Sequence, residues 1–424
     1  MQNLSKVLLI LSFSILSLNL YAEQRNERIV YGADDRIETY QSSAIHQKLA
    51  KSTAGMYMTL QGIDLGSSIM LPPASIKKSM GLCESERFSE QPSAVTCSGF
   101  LVGPDLLVTA GHCITNQKMC DNHSWVFDYK VESKNIKSNI IVPKKNVYKC
   151  KRVIEATVEG AGDDMRDYSL VQLDRVVEGR QALEIRTEGQ ISDNQGVVVI
   201  GHPSGLPQKV AGGAKVFKNQ SKYFFETNLD TFGGNSGSAV FNAQTNKVEG
   251  ILVRGSTDYL NAECGNVVNK APEDITGKDQ LGEGVSRILD IPSLSRRANL
   301  FLAIKKGDLN QVKSLIEQSK QLLLLYDNQK NNALMSAIKN HKSNIAMYLI
   351  ETSIDLNMAN LKGETALHLA AYFNNKLIAR KLMEKNVDPT KPDHFGRLPS
   401  GRSNYFSIKL RRELRSYERT HQNK

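Results

Sequence analysis

Between residues 94 and 290 the chain is written in short apolar runs that alternate with polar positions and are cut by Gly, Pro and Asp. Runs at 98–102, 106–109, 196–200, 223–227 and 248–253 put apolar side chains on one face at a spacing of two, the pattern of half-buried strands. Gly103-Pro104-Asp105 is a turn between the first two. Many short strands with regular turn signals predict an all-β sandwich or a pair of barrels rather than a βαβ fold. After Pro292 the texture turns helical. A-L-M-S-A at 333–337 recurs as A-L-H-L-A at 366–370, a step of 33 residues, and an earlier copy is centred on Leu302-Ala303. A second apolar stripe follows each copy: Leu315-Ile316, Leu349-Ile350 and Leu382-Met383. A fixed step of this length marks stacked helical hairpins that bury their apolar faces only against neighbours.

The start of the chain has a different pattern. Lys6 precedes a predominantly apolar run, Val7 to Leu20, followed by Tyr21-Ala22. A basic start, a brief apolar stretch and a small residue predict a signal peptide over 1–22, cleaved near Ala22, and hence a secreted or periplasmic protein. The run is too short to span a bilayer comfortably, and no integral membrane span is expected after cleavage. Six cysteines, all between 83 and 264, make disulfides the expectation in an exported chain. Cys120 and His123 have no second ligand pair at useful spacing, so no metal and no cofactor is expected. The formal charge of +10 is spread without a compact Lys/Arg block interleaved with aromatics, which excludes nucleic acid as the expected partner. The densest basic stretch, 409–419, reads as a charged terminal helix.

Three phrases carry candidate chemistry: T-A-G-H-C at 109–113, D-Y-S-L-V at 167–171 and G-G-N-S-G-S at 233–238. A serine hydroxyl is a weak nucleophile until an imidazole takes its proton, and the imidazole needs a carboxylate to fix its tautomer. The phrases supply these groups as Ser236, His112 and Asp167. Asp163, Asp164 and Asp174 compete for the acid's role, and Asp174 reads better as a turn residue closing its strand. The glycines beside Ser236 allow the backbone N–H groups of Gly234 and Ser236 to converge where a tetrahedral intermediate carries its charge.

The order His, Asp, Ser in these phrases resembles the chymotrypsin-type serine proteases. F-E-T-N-L-D-T-F-G-G-N-S-G-S-A-V-F-N at 225–242 is similar to their bacterial glutamyl endopeptidase-like branch. The resemblance covers about 80–290 and extends to R-I-V-Y-G-A-D-D-R at 28–36. It implies an all-β double barrel with the triad in the cleft, and a Cys97–Cys113 disulfide bracketing the base. Cys120–Cys150 is the next expected pair, leaving Cys83–Cys264. Two positions depart from the resemblance. Asn235 stands where trypsins carry the Asp that pairs with a newly freed N-terminus, so Arg28-Ile29-Val30 is not expected to work as a trypsin-style activation switch. Leu252 stands where glutamyl endopeptidases place an acid-receiving His. Asp230, Thr231, Leu252 and Arg254 are the expected substrate-binding residues, with Asp230 on the pocket floor favouring Lys or Arg. An Arg254–Asp230 pair would instead leave an apolar slot with Leu252 and Phe232.

T-A-L-H-L-A at 365–370, with Lys362-Gly363 as its hairpin turn, resembles the ankyrin phrase, and implies about three repeats and a protein partner on their face. The expected organisation is a signal peptide at 1–22, a leader or start of the protease domain at 23–80, the trypsin-like domain at 81–290, a linker at 291–298, an all-α ankyrin solenoid at 299–400 and a basic tail or helix at 401–424. The expected activity is that of a secreted serine endopeptidase acting on protein or peptide through an acyl-enzyme. The rivals are an inactive protease-like interaction protein and a barrel esterase.

Overall fold

A computed structural model describes residues 30–31, 33–72, 74–134, 140–255, 257–271, 282–403 and 408–422. The signal peptide and the Arg28-Ile29 bond lie outside them. Alternating residues build six strands in the first half: β1 (Thr53–Met58), β2 (Cys97–Leu101), β3 (Leu106–Thr109), β4 (His123–Phe127), β5 (Val147–Glu159) and β6 (Arg166–Leu173). They close a barrel in the order β5-β6-β3-β2-β1-β4. Six more follow: β7 (Gly196–Gly201), β8 (Lys209–Lys218), β9 (Phe224–Thr227), β10 (Ala239–Asn242), β11 (Val248–Arg254) and β12 (Glu283–Arg287). Their order is β7-β10-β11-β12-β9-β8, and β8 returns to β7 to close a second barrel. Closure leaves each barrel's inward side chains to fill its interior, such as Val197, Val240 and Val285 in the second.

Of the two readings of 23–80, leader or start of the protease domain, the second fits the fold: β1 is a full stave of the first barrel and Ile37–Glu38 pairs with β8. Three disulfides, Cys83–Cys264, Cys97–Cys113 and Cys120–Cys150, have Cα separations of 5.3, 6.3 and 5.1 Å. The first of them ties the segment before β2 to the loop between β11 and β12.

The remainder is helical. Paired helices α1 (Pro292–Lys306) and α2 (Leu309–Gln318), α3 (Ala333–Lys339) and α4 (Ser343–Ile350), and α5 (Ala366–Tyr372) and α6 (Lys376–Glu384) stack in sequence order. The turn inside each pair has a left-handed residue: Gly307, His341 and Asn374, at φ 87°, 56° and 53°. The short α7 (Pro399–Arg402) and the terminal α8 (Ile408–Gln422) cap the stack, with Leu410 and Leu414 inward and the Glu418 carboxylate accepting from the N–H and hydroxyl of Ser400. Among the described residues no helix is long and apolar enough to cross a membrane.

The expected linker at 291–298 is absent as a separate element, because Pro292 opens α1 directly. Pro at this position has no N–H to leave unsatisfied and its φ is already helical. Ile288, Ile291, Leu294 and Leu300 belong to one continuous buried cluster shared by the first barrel and the repeats. Polar contacts line the same junction. Ser293 N donates to Glu155 Oε2 at 3.0 Å, Arg297 Nη1 to the Val102 carbonyl at 3.1 Å, and Lys330 Nζ to Asp105 Oδ2 at 2.9 Å.

Candidate active site

His112 sits in the turn that follows β3, and Asp167 is the second residue of β6, the neighbouring stave. The Asp167 carboxylate, 2% exposed, takes two bonds from one residue: His112 N at 3.1 Å and His112 Nδ1 at 2.7 Å. A carboxylate only accepts, so Nδ1 carries the proton and Nε2 keeps its lone pair. The His112 side chain is 40% exposed. Asp174 lies at the far end of the strand, where it accepts from Lys149 N at 3.2 Å and pairs with Arg175. Asp163 and Asp164 occupy the turn before β6.

Ser236 belongs to the second barrel, in the turn entering β10, and the first barrel holds that turn in place. Ser98 of β2 donates its N–H to the Ser236 carbonyl at 2.8 Å and its hydroxyl to the Gly234 carbonyl at 2.9 Å. Gly237, at φ 88°, passes so close that a Cβ there would lie 2.0 Å from the Ser98 carbonyl oxygen. Ser98 adjoins Cys97, whose disulfide partner Cys113 adjoins His112. His112 and the Ser236 turn are thus joined by one disulfide and two hydrogen bonds. Cys113 Sγ lies 3.8 Å from the Ser236 carbonyl oxygen. Both sulfurs near His112 are in the disulfide, so neither is a thiolate free to bind a metal.

The turn ahead of Ser236 has the features of an anion site. Among the described residues neither Gly234 N nor Ser236 N donates to a protein acceptor. Gly234 is held at φ 89°, where an added Cβ would meet the His202 carbonyl at 2.7 Å. Backbone donors fixed without acceptors stabilise charge that develops in a transition state at no reorganisation cost.

A pocket of about 460 Å³ opens beside Ser236. Thr231, Leu252 and Arg254 line it, together with Phe232, Asp258, Tyr259 and Glu283. Asp230 is not on this wall. It is buried, and its Oδ2 accepts from the Asp35 backbone N–H at 2.8 Å, on the side where the N-terminal segment packs. Arg254 makes no ion pair with Asp230. Its guanidinium stacks 4.3 Å from the Phe224 ring centre, with Nε and Nη2 buried and without acceptors among the described residues. Burial pushes its pKa below the usual value, against the pull of Glu226, Asp167 and Asp163. Asp258 is pushed upward by burial, offset by the N–H of Gly233 and the nearby Arg36. The Thr231 hydroxyl donates to Glu283.

Sequence reasoning missed Asp258, Tyr259 and Glu283 because no motif surrounds them and the fold alone brings them beside Ser236. Ser98 had a weak signal, its place directly after Cys97.

Double barrel, cleft and helical stack together define a chymotrypsin-like protease fold joined to a repeat solenoid. Residues 97–251 match the trypsin-like peptidase domain family, and residues 300–393 match ankyrin repeats in three copies. The first match contains His112, Asp167 and Ser236. The chain carries a trypsin-like peptidase domain followed by three ankyrin repeats. It is also similar to an ankyrin repeat-containing protein of Treponema pallidum (strain Nichols), 28% identical over 108 residues. That likeness covers 26% of this chain and 36% of the relative, so the chain spans about a third of the relative's length.

Proposed function

We propose that the protein is an exported serine endopeptidase of the glutamyl endopeptidase-like branch, with Ser236 as nucleophile, His112 as general base and Asp167 as the acid that orients it. The observation that carries this reading is the pair of hydrogen bonds from His112 to Asp167, at 3.1 and 2.7 Å, on the barrel that also grips the Ser236 turn. Ser236 Oγ attacks the scissile carbonyl as His112 Nε2 takes its proton. The oxyanion forms against the N–H groups of Gly234 and Ser236. His112 then returns the proton to the leaving amine, and water resolves the acyl-enzyme by the same path.

Among the described residues the pocket wall carries two carboxylates, Asp258 and Glu283, and one guanidinium, Arg254. This balance favours Lys or Arg before the scissile bond over Glu, and moves that preference away from Asp230. The ankyrin repeats serve as a protein-binding face. The even cysteine set, fully paired, fits an oxidising compartment outside the cytoplasm. The test is fluorophosphonate labelling and a peptide-library cleavage profile of the mature protein. Labelling that disappears in Ser236→Ala, with cleavage after Lys or Arg, is expected. A folded wild-type protein that takes no label would overturn the catalytic reading and favour an inactive, partner-binding protein.

A further inference from the structure

An oxyanion hole built on two consecutive glycines needs something to aim it. Gly233 and Gly234 reach left- and right-handed backbone states with similar ease, so the peptide between them can rotate and present its carbonyl where its N–H should be. Trypsin-like proteins that carry an Asp before the nucleophile anchor this turn with an ion pair. Asn235 has no charge for that purpose, and its Oδ1 accepts from the Ser238 hydroxyl at 3.2 Å within the turn itself.

The anchor lies elsewhere. Gly233 is held from both ends: its N–H donates to Asp258 Oδ2 at 2.8 Å, and its carbonyl accepts from Ser204 N at 2.5 Å. Carbonyl and N–H of a trans peptide point in opposite directions. A Gly233 carbonyl fixed on Ser204 therefore turns the N–H of Gly234 the other way, and that N–H has no protein acceptor. Ser204 makes this contact from a left-handed conformation, φ 51° and ψ 29°, uncommon for a residue with a side chain. Its hydroxyl is bonded to Tyr259 Oη at 2.5 Å. Asp258 and Tyr259 are consecutive, so one short segment grips Gly233 directly on one side and through Ser204 on the other. That segment is itself fixed, because the Asp258 carbonyl accepts from Asn269 N at 3.0 Å and the Tyr259 ring packs 5.6 Å from that of Phe232.

We infer that Asp258 and Tyr259 are positioning residues that clamp the Gly233–Gly234 peptide, and so hold the Gly234 N–H toward the substrate carbonyl in the absence of an ionic anchor. The inference rests on the protease reading above. It requires the clamp to act on the transition state, and therefore on kcat more than on KM.

The experiment compares Asp258→Ala, Asp258→Asn and Tyr259→Phe in the full mature protein, by steady-state peptide hydrolysis and by inhibition with a peptide boronate, whose tetrahedral adduct fills the hole. Loss of one aimed donor costs about 10²–10³-fold in kcat, and a donor left free to rotate is expected to cost roughly 10–10²-fold. Asp258→Ala should show that loss, with boronate affinity falling in parallel. Asp258→Asn keeps an acceptor for Gly233 N and should restore kcat, any remaining deficit appearing in KM for Lys or Arg substrates. Tyr259→Phe should lower kcat without moving KM. Wild-type kcat and boronate affinity in a folded Asp258→Ala protein would overturn the inference, as would an Asp258→Asn protein as impaired in kcat as Asp258→Ala. A wild-type protein inert to both substrate and fluorophosphonate overturns the protease reading and this inference with it.

Discussion

His202 provides a sharp test of how the second barrel responds to acid. Its ring is fully buried and stacks 5.7 Å from the Tyr129 ring. Nδ1 lies 3.0 Å from the Leu206 carbonyl oxygen and so carries the proton, while Nε2 is buried without a partner. Burial pushes the pKa down from 6.5 to about 4, with the Leu206 carbonyl opposing and Lys209 adding to the shift. Between those two values the unfolded chain binds a proton at this site that the folded chain refuses. The stability from the neutral ring is fully present above pH 6.5 and is lost as pH falls toward 4. Each unit is worth about 1.4 kcal/mol, so the loss approaches roughly 3 kcal/mol. His202→Asn keeps a donor for the Leu206 carbonyl and removes the titration. Urea unfolding of both proteins should then diverge between pH 6.5 and 4, the wild type falling more steeply by up to about 1.4 kcal/mol per unit. Carboxylates titrate in both proteins and cancel in the difference. Parallel profiles through this window would refute the account.

Asp167→Asn should lower kcat by about 10⁴-fold, since the amide supports the wrong imidazole tautomer, whereas Asp174→Asn should stay near wild type; pre-steady-state hydrolysis separates them. Asp105→Ala removes the buried carboxylate that accepts from both Lys330 and Gln172, and should destabilise the protein by about 2–3 kcal/mol in urea titrations, with Lys330→Met milder. A chain ended after residue 290 should lose thermal stability, because Ile288 loses neighbours in the shared core when Ile291 and Leu294 are removed, a loss of about 1–2 kcal/mol per uncovered side chain; an unchanged melting temperature would show that the barrels stand alone.

Much of the architecture was legible because its signals are local. The apolar run at 106–109 and the bounds of β3 coincide, and the 33-residue step falls on successive helices, α3 and α5. His112, Asp167 and Ser236 stood out as candidates because each sits inside a distinctive phrase, and the fold brings the first two into hydrogen-bond contact. Pocket chemistry was less legible. Asp230 lies six residues before Ser236 in the chain, yet one bond to the Asp35 backbone turns its carboxylate toward the N-terminal segment. Asp258 and Glu283 reach the pocket from separate segments, and no spacing rule connects residues that far apart. The same limit applies at 291–298, where the change of periodicity after Pro292 read as a linker although Ile291 and Leu294 are core.

The junction bears on how the two parts work together. A repeat array on a free tether moves independently of the enzyme it serves, and linkage then raises only the local concentration of whatever it captures. Here α1 starts two residues after Asp290, which is ion-paired with Arg166 of β6 at 3.0 Å. The first inter-repeat hairpin reaches back through Lys330 to Asp105, in the turn between β2 and β3. Those strands carry Ser98 and lead into His112, and Arg166 directly precedes Asp167. The repeats are therefore fastened to the staves that hold His112 and Asp167. A partner seated on their face is presented at a defined position and orientation relative to the cleft. Orientation of that kind can decide which bond of a bound protein reaches Ser236, a selectivity that the pocket alone does not supply.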